Sequence, residues 1–283
     1  MQETQIRLDS LYPAEVAKRA EEVGVTKVSQ AAVRTLVLGV LAGAFVALGA
    51  VFATTVAAGG GLPFGLLRLL TGLVFCLGLI LVVLAGAELF TGNSLIVMAW
   101  ASRRVSTRAL LRNWTLVYIG NFVGSVSTAV LMFLSQQYTA GNGVVGQTAL
   151  AIANSKVNLG FGQALVLGIM CNALVCLAIW LTLGARTTTD KIVAILFPIT
   201  AFVAAGFEHS VANMYFIPIG WLIAQFDPSF AQAAGLALDH LTLGGMLNNL
   251  IPVTLGNIIG GAGFVAAVYW FVYLYQPPAI RSR

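Results

Sequence analysis

The chain has 283 residues, of which 59% are hydrophobic and 9% charged, and its mean hydropathy is +0.91. A soluble domain carries about 25% charged residues, so a water-soluble globule is excluded and a polytopic membrane protein is expected. The apolar runs are continuous rather than alternating, which excludes a β-barrel and leaves α-helical spans.

Residues 1–30 are the most charged part of the chain and carry acids, so they do not read as a cleavable signal peptide. Within them, Tyr12 to Gly24 reads as a short helix. Pro13 suits its first turn and Gly24 its end. Val16, Ala20 and Val23 share one face, which places this helix on the membrane surface or against the bundle mouth.

Thr35 to Gly61 holds no charge and supplies one span, at roughly 20 residues per crossing. The run Gly59-Gly60-Gly61-Leu62-Pro63 is the turn after it. Leu69 to Ser102 is uncharged except for Glu88. Its 34 residues would make one helix of about 51 Å, against a hydrocarbon core of about 30 Å. Two spans would need about 40 residues. A helix interrupted inside the membrane fits instead. Gly86 and Gly92 bracket the break, and Glu88, Thr91, Asn93 and Ser94 are available to satisfy freed backbone groups. Irregular backbone at that depth requires surrounding protein or a water-filled cavity.

A basic loop, 103–112, leads to a third span over 113–136. Residues 137–158 read as a longer polar loop outside the membrane, and the fourth span covers 159–184. Thr187 to Lys191 is a helix start. Ile192 to Phe226 has the same awkward length as the first interrupted segment, with Glu208-His209 in its middle. A loop over 227–246 precedes a sixth span over 247–275, and 276–283 is a tail. The three cysteines, Cys76, Cys171 and Cys176, show neither metal spacing nor a disulfide framework and read as packing residues. No metal or cofactor is expected.

Two repeats organise this order. Gly86-Ala87-Glu88 through Asn93 and Gly206-Phe207-Glu208 through Asn213 both read Gly-x-Glu-x4-Asn, 120 positions apart. Asn113 with Gly120-Asn121-x2-Gly124 matches Asn249 with Gly256-Asn257-x2-Gly260. The expected fold is therefore six spans in two three-span repeats, 31–136 and 159–275, with broken second and fifth helices. Three crossings per repeat is odd, so the halves insert in opposite directions. Gly86, Glu88, Gly206 and Asn213 shape the breaks, and Asn121 and Asn257 bridge helices. A carboxylate facing an anion path would repel it, so Glu88 and Glu208 are expected to bond loop amides.

With both termini cytoplasmic, the inner segments hold Arg7, Lys18, Arg19, Lys27, Arg34, Arg103, Arg104, Arg108, Arg112, Arg186, Lys191, Arg281 and Arg283. Those are 13 of the 15 basic residues, with only Arg68 and Lys156 outside. This meets the positive-inside rule. It also accounts for the net charge of +5 without a nucleic acid partner.

Taken together, these residues resemble the formate/nitrite transporters over nearly the whole chain. The resemblance rests on Gly86-Ala87-Glu88-Leu89-Phe90-Thr91, Asn172, Gly206 to Asn213 and Val253-Thr254-Leu255-Gly256-Asn257. The leader looks more like the formate branch, while Thr91-Gly92 looks partly like the nitrite branch. The resemblance implies a homopentamer of aquaporin-like anion channels in the inner membrane bilayer, closed at low pH by the leader helix. It implies formate as permeant, with nitrite, acetate, lactate and hydrosulfide as related anions, and no enzymatic activity. By the same resemblance His209 is the central pore histidine, bonded to Thr91 or Asn172. Phe75, Leu79 and Phe202 form one constriction, and Leu89, Phe90 and Val175 a second. Lys156 draws anions to the outer mouth, and Glu208 fixes the broken fifth helix.

A mechanism can be built beside this from the residues. Two half-helix N-termini of about +0.5 charge each attract a monovalent anion. Apolar rings exclude hydrated cations. A small carboxylate titrates at roughly pH 3.5–4, so a proton relayed through His209 would neutralise it. Two rival classes have clear signatures. A neutral-solute channel of the aquaporin kind would show paired Asn-Pro-Ala stretches and pass glycerol. A haem-binding membrane anchor takes paired histidines within the spans, where only His209 stands.

Overall fold

The computed structural model describes residues 9–276, which are helical with short connections. Helix α1 (Pro13–Ser29) precedes α2 (Ala32–Ala57) and α3 (Phe64–Leu81). α3 runs into a π-helical turn, Val82–Gly86, and stops there, with Ala87 extended. Helical structure resumes as a 3-10 turn, Gly92–Ile96, continued by α4 (Val97–Ala101) and then α5 (Thr107–Leu134). After these come α6 (Val144–Val157), α7 (Phe161–Gly184), α8 (Thr188–Ala205), α9 (Ser210–Phe226) and the short α10 (Pro228–Ala233). α11 (Leu243–Ile258) continues through a π-helical stretch, Ile259–Ala267, into α12 (Val268–Tyr273). Among the described residues six helices are long and apolar enough to cross a membrane: Ala32–Ala57, Phe64–Gly86, Thr107–Leu134, Phe161–Gly184, Thr188–Ala205 and Leu243–Tyr273. Two shorter apolar helices, Gly92–Ala101 and Ser210–Phe226, accompany them. Arg7, Arg281, Arg283 and the tail beyond residue 276 lie outside the described residues.

Several expected boundaries move, each for a local reason. α1 does not end at Gly24 but runs to Ser29, because Gly24 is buried against Ile96 and Ala99. A close approach there outweighs the helix cost of glycine, about 1 kcal/mol. α5 starts at Thr107 rather than 113, since the Ser106 hydroxyl accepts the Ala109 N–H at 3.2 Å as an N-cap. The expected loop 137–158 contains α6, whose buried Val145, Ala149, Ala153 and Val157 stand four residues apart. That stripe packs on α9, with Gly220 against Ala153. The expected loop 227–246 contains α10, and α11 begins at Leu243 with Thr242 as its N-cap.

Three residues separate α6 from α7, whose last residue, Gly184, accepts the N–H of Leu11 and packs on Val16 of α1. α1 and α6 therefore lie at opposite ends of the bundle. Many large apolar side chains, among them Val33, Phe64, Leu131, Phe197 and Phe271, are exposed. In a hydrocarbon surround they need no burial by protein.

Small residues set the helix spacing. Gly43 of α2 sits on the backbone of Asn121, and Gly124 of α5 sits on the Val40 carbonyl. In the same way Gly256 and Gly260 press on the Leu165 and Ile169 carbonyls of α7.

At the α6 end, hydrogen bonds from the Ser229 and Tyr138 hydroxyls and the Phe230 N–H hold the Asp227 carboxyl below its ordinary range. A depressed carboxyl stabilises the fold above its unfolded value and loses that contribution as pH falls through its folded value. Hydrogen exchange over 228–234 is therefore expected to quicken only below about pH 4. An Asp227→Asn variant should show the fast exchange at every pH.

Candidate functional site

The two places where a helix stops, after Gly86 and after Ala205, are built alike. Gly86 and Gly206 both take positive φ, +85° and +77°, a region where an L side chain is strained. Each turn releases an extended stretch with a glutamate in it, and each is tied on both sides. The Glu88 N–H donates to the Leu38 carbonyl at 3.1 Å, and the Glu208 N–H to Leu167 at 3.3 Å. On the other side Asn121 donates to the Gly39 and Glu88 carbonyls at 2.8 and 2.9 Å and accepts the Phe90 N–H at 2.9 Å. Asn257 does the same for the Gly168 and Glu208 carbonyls and the Ser210 N–H, at 2.8, 2.9 and 2.9 Å. Both asparagines are fully buried. They satisfy backbone groups that these helix ends leave open, each of which would cost about 1–3 kcal/mol unpaired.

The glutamates are matched as well. Glu88 accepts two bonds from Lys27 Nζ, each at 3.0 Å, and the Asn93 amide at 2.7 Å. Glu208 accepts Lys156 Nζ at 2.8 Å and the Asn213 amide at 2.6 Å. Asn113 and Asn249 extend each cluster, accepting from Asn93 and Asn213 at 2.9 and 2.7 Å. So the carboxylates bond lysine and asparagine side chains, not the loop amides expected of them. Lys156, expected to draw anions to the outer mouth, is ion-paired to Glu208, and its side chain is 13% exposed. Lys27, read from sequence as an orienting charge, is its counterpart. Both lysines stand near the end of a surface helix, eleven residues before a Leu-Gly pair. The signal was present: Leu36-Val37-Leu38-Gly39 repeats as Leu165-Val166-Leu167-Gly168.

The two stretches meet. His209 Nε2 and Thr91 Oγ1 are 2.9 Å apart, with both residues buried. His209 is also the N-cap of α9, its Nδ1 accepting the Ala212 N–H at 3.1 Å. An Nδ1 that accepts leaves the proton of the neutral ring on Nε2, which then donates to Thr91. Asn172 does not reach His209. It donates instead to the Thr91 and Asn257 carbonyls and to Ser94 Oγ, at 3.2, 2.7 and 3.2 Å. Its reach is spent mainly on backbone: the Thr91 carbonyl it bonds also accepts the Ser94 N–H at 3.3 Å and Cys176 Sγ at 3.4 Å.

Aromatic and aliphatic groups flank the contact. The Phe202 ring stacks 5.9 Å from His209, and Phe75 meets Phe202 edge-on at 5.7 Å. Leu79, Leu89, Phe90 and Val175 are buried. Phe90 packs edge-on against Tyr118 and Trp114, at 4.9 and 6.0 Å. A cavity of about 190 Å³ opens from His209 toward the α6 end, lined by Phe75, Phe202, Lys156, Glu208, Asn213 and Arg68 among others. All three cysteines are buried and free.

The chain as a whole has counterparts among known proteins. A family profile described as Formate/nitrite transporter matches residues 14–271. The chain belongs to the formate/nitrite transporter family. It is 45% identical over 274 residues to the formate channel FocA of Escherichia coli K12, covering 95% of this chain and 96% of that one. It is 40% identical to a probable formate transporter of Methanothermobacter thermautotrophicus, covering 93% and 97%. Among solved structures of the family it resembles a pentameric formate channel with formate bound. That match has a TM-score of 0.80 at 44% identity, over 86% of this chain and 98% of that one. An FNT family ion channel gives 0.79 at 28% identity, over 93% and 99%.

Proposed function

We propose that the chain is a subunit of a homopentameric channel of the inner membrane that conducts formate and related small anions through its own pore. The observation that carries this is the Thr91–His209 contact, where two helix interruptions with matched scaffolds converge beneath a cavity. The names of the family's formate channels, and the pentameric relative with formate bound, support the permeant and the assembly.

The matched bonds support an inverted repeat. α1 and α6 are equivalent, so each half is a surface helix, a span, a broken span and a third span, and the two surface helices lie at opposite ends. With α1, both termini and most of the basic residues face the cytoplasm. Lys27–Glu88 then locks the inner side of one break, and Lys156–Glu208 the outer side of the other.

Two helices, Gly92–Ala101 and Ser210–Phe226, begin beside the Thr91–His209 contact. Each N-terminus carries about +0.5 charge, which draws an anion to this depth. Phe75, Leu79 and Phe202 form the apolar ring above it; Leu89, Phe90 and Val175 form the one below. At the centre the Nε2–H of His209 and the hydroxyl of Thr91 donate to the carboxylate.

Proton transfer takes one further step. The ring accepts a proton on Nδ1, gives up the Ala212 N–H, and releases its Nε2 proton to the carboxylate. Formic acid leaves, and the ring is neutral again with its proton on Nδ1.

The test is formate flux in proteoliposomes of wild type and His209→Asn across pH 5–8. The variant is expected to lose flux by about tenfold or more, on the scale of general acid catalysis, and to lose its pH dependence. Flux of unchanged size and pH profile would remove His209 from the mechanism.

A further inference from the structure

The two ion pairs are matched in sequence but not in bonding. Lys27 Nζ makes three bonds, two to Glu88 and one to Asn93 Oδ1 at 2.8 Å. Lys156 Nζ makes one, to Glu208, and lies 5.4 Å above the Phe216 ring. Asn213 Oδ1, the equivalent of the Asn93 acceptor, is buried without a partner among the described residues. Asn213 and Lys156 both line the cavity above His209. That cavity therefore has polar capacity that the other end has used up internally.

Arg68 lines the same cavity. It stands near the start of α3 and reaches across to the end of α8. There its Nε donates to the Ala204 carbonyl at 3.0 Å and its Nη2 to the Val203 carbonyl. Those carbonyls belong to the C-terminal turn of α8, which carries a partial negative charge of about −0.5. A guanidinium offers five N–H groups. Two are used on α8, and Nη1 has no partner among the described residues. No carboxylate lies within ion-pair distance of Arg68 there either, whereas the charge of Lys156 is cancelled by Glu208 at 2.8 Å. Gly206, whose turn delivers Glu208 and His209, lies beside Nη2; an added Cβ would stand 3.3 Å from it.

We propose that Arg68 is the anion-docking residue of this mouth, presenting its remaining N–H groups to a small planar carboxylate in the cavity above His209. The α8 carbonyls hold the guanidinium in place, so little side-chain freedom is lost when the anion arrives. A planar fork suits a carboxylate, and a lysine ammonium at the same position supplies charge without the paired geometry. Lys156, already neutralised, mainly fixes Glu208.

This inference rests on the reading of the chain as a formate channel, and sided measurements separate the two. Formate currents are recorded in planar bilayers holding the purified channel in known orientation, with formate added on either face. Arg68→Gln is expected to raise the half-saturating formate concentration on the α6-end face by about tenfold. On the α1-end face the change should stay under about twofold. The wild-type value on the α6-end face should climb with ionic strength, and the variant should lose that dependence. Arg68→Lys, which keeps the charge but not the paired donors, should keep the ionic-strength dependence and recover only part of the affinity.

An equal shift on both faces, or an unshifted α6-end value in a folded Arg68→Gln channel, would reduce Arg68 to a helix cap. If Lys156→Gln alone reproduced the sided loss, docking would belong to Lys156. A wild type that carries no formate at all removes the channel reading and this inference with it.

Discussion

Glu208→Leu is expected to destabilise the protein by about 3–5 kcal/mol, the cost of leaving one charge of a buried pair uncompensated. Lys156 Nζ would lose the carboxylate it pairs with while 13% exposed, and the Asn213 and Asn249 amides would lose the acceptor they share. Adding Lys156→Met should recover most of that loss, because a buried ion pair replaced by apolar groups is often neutral. The inner counterpart predicts a contrast. Lys27 is 24% exposed, so in Glu88→Leu its ammonium can turn to water, and the loss should be smaller. Denaturant unfolding of the detergent-solubilised protein measures all three variants. A double variant no more stable than Glu208→Leu would show that the ion pair is not what holds the second break. The unfolding result also bears on flux, since Glu208 precedes His209 directly and its carbonyl is anchored by Asn257.

Gly124→Ala should be the other severe change. The new Cβ would collide with the Val40 carbonyl, and a backbone oxygen inside a helix has no room to move aside. α2 and α5 would have to part. Overpacking typically costs about 1–3 kcal/mol, and a backbone-on-backbone clash belongs at the upper end. The consequence reaches the site because Asn121, three residues earlier, spans from Gly39 of α2 to Phe90 beside Thr91. Separation of the helices pulls that bridge apart. Gly260→Ala, set against the Ile169 carbonyl, should behave the same way. Gly162→Ala meets no atom within 4 Å and should be neutral or stabilising by up to about 1 kcal/mol, from helix propensity. Thermal unfolding and the yield of assembled protein compare the three. Wild-type stability in Gly124→Ala would refute the close-packed interface.

Some of this architecture was legible in the chain itself. Continuous apolar runs identify membrane-crossing helices because each span must satisfy its own backbone. The lengths of 69–102 and 192–226 fit neither one crossing nor two; in the structure helices end at Gly86 and Ala205 within them. Paired motifs singled out Glu88 with Glu208 and Asn121 with Asn257, since a repeated scaffold needs the same polar group at the same place twice. Resemblance pointed to His209 and Thr91 as a pair. Less legible was α6, whose stripe of Val145, Ala149, Ala153 and Val157 was hidden among polar and glycine residues. The equivalence of Lys27 and Lys156 was also hidden, because one lies in a charged leader and the other in an apparent loop.

What the sequence determined by itself was the apolar surround and the pairing of its motifs, because both follow from local composition and spacing. What the tertiary structure decided was which polar groups answer one another. A carboxylate, an ammonium or an amide at membrane depth can be placed by pattern, but its partner comes from another helix, and only packing chooses it. That choice put Lys156 on Glu208, Asn172 on the Thr91 carbonyl and Arg68 on the end of α8.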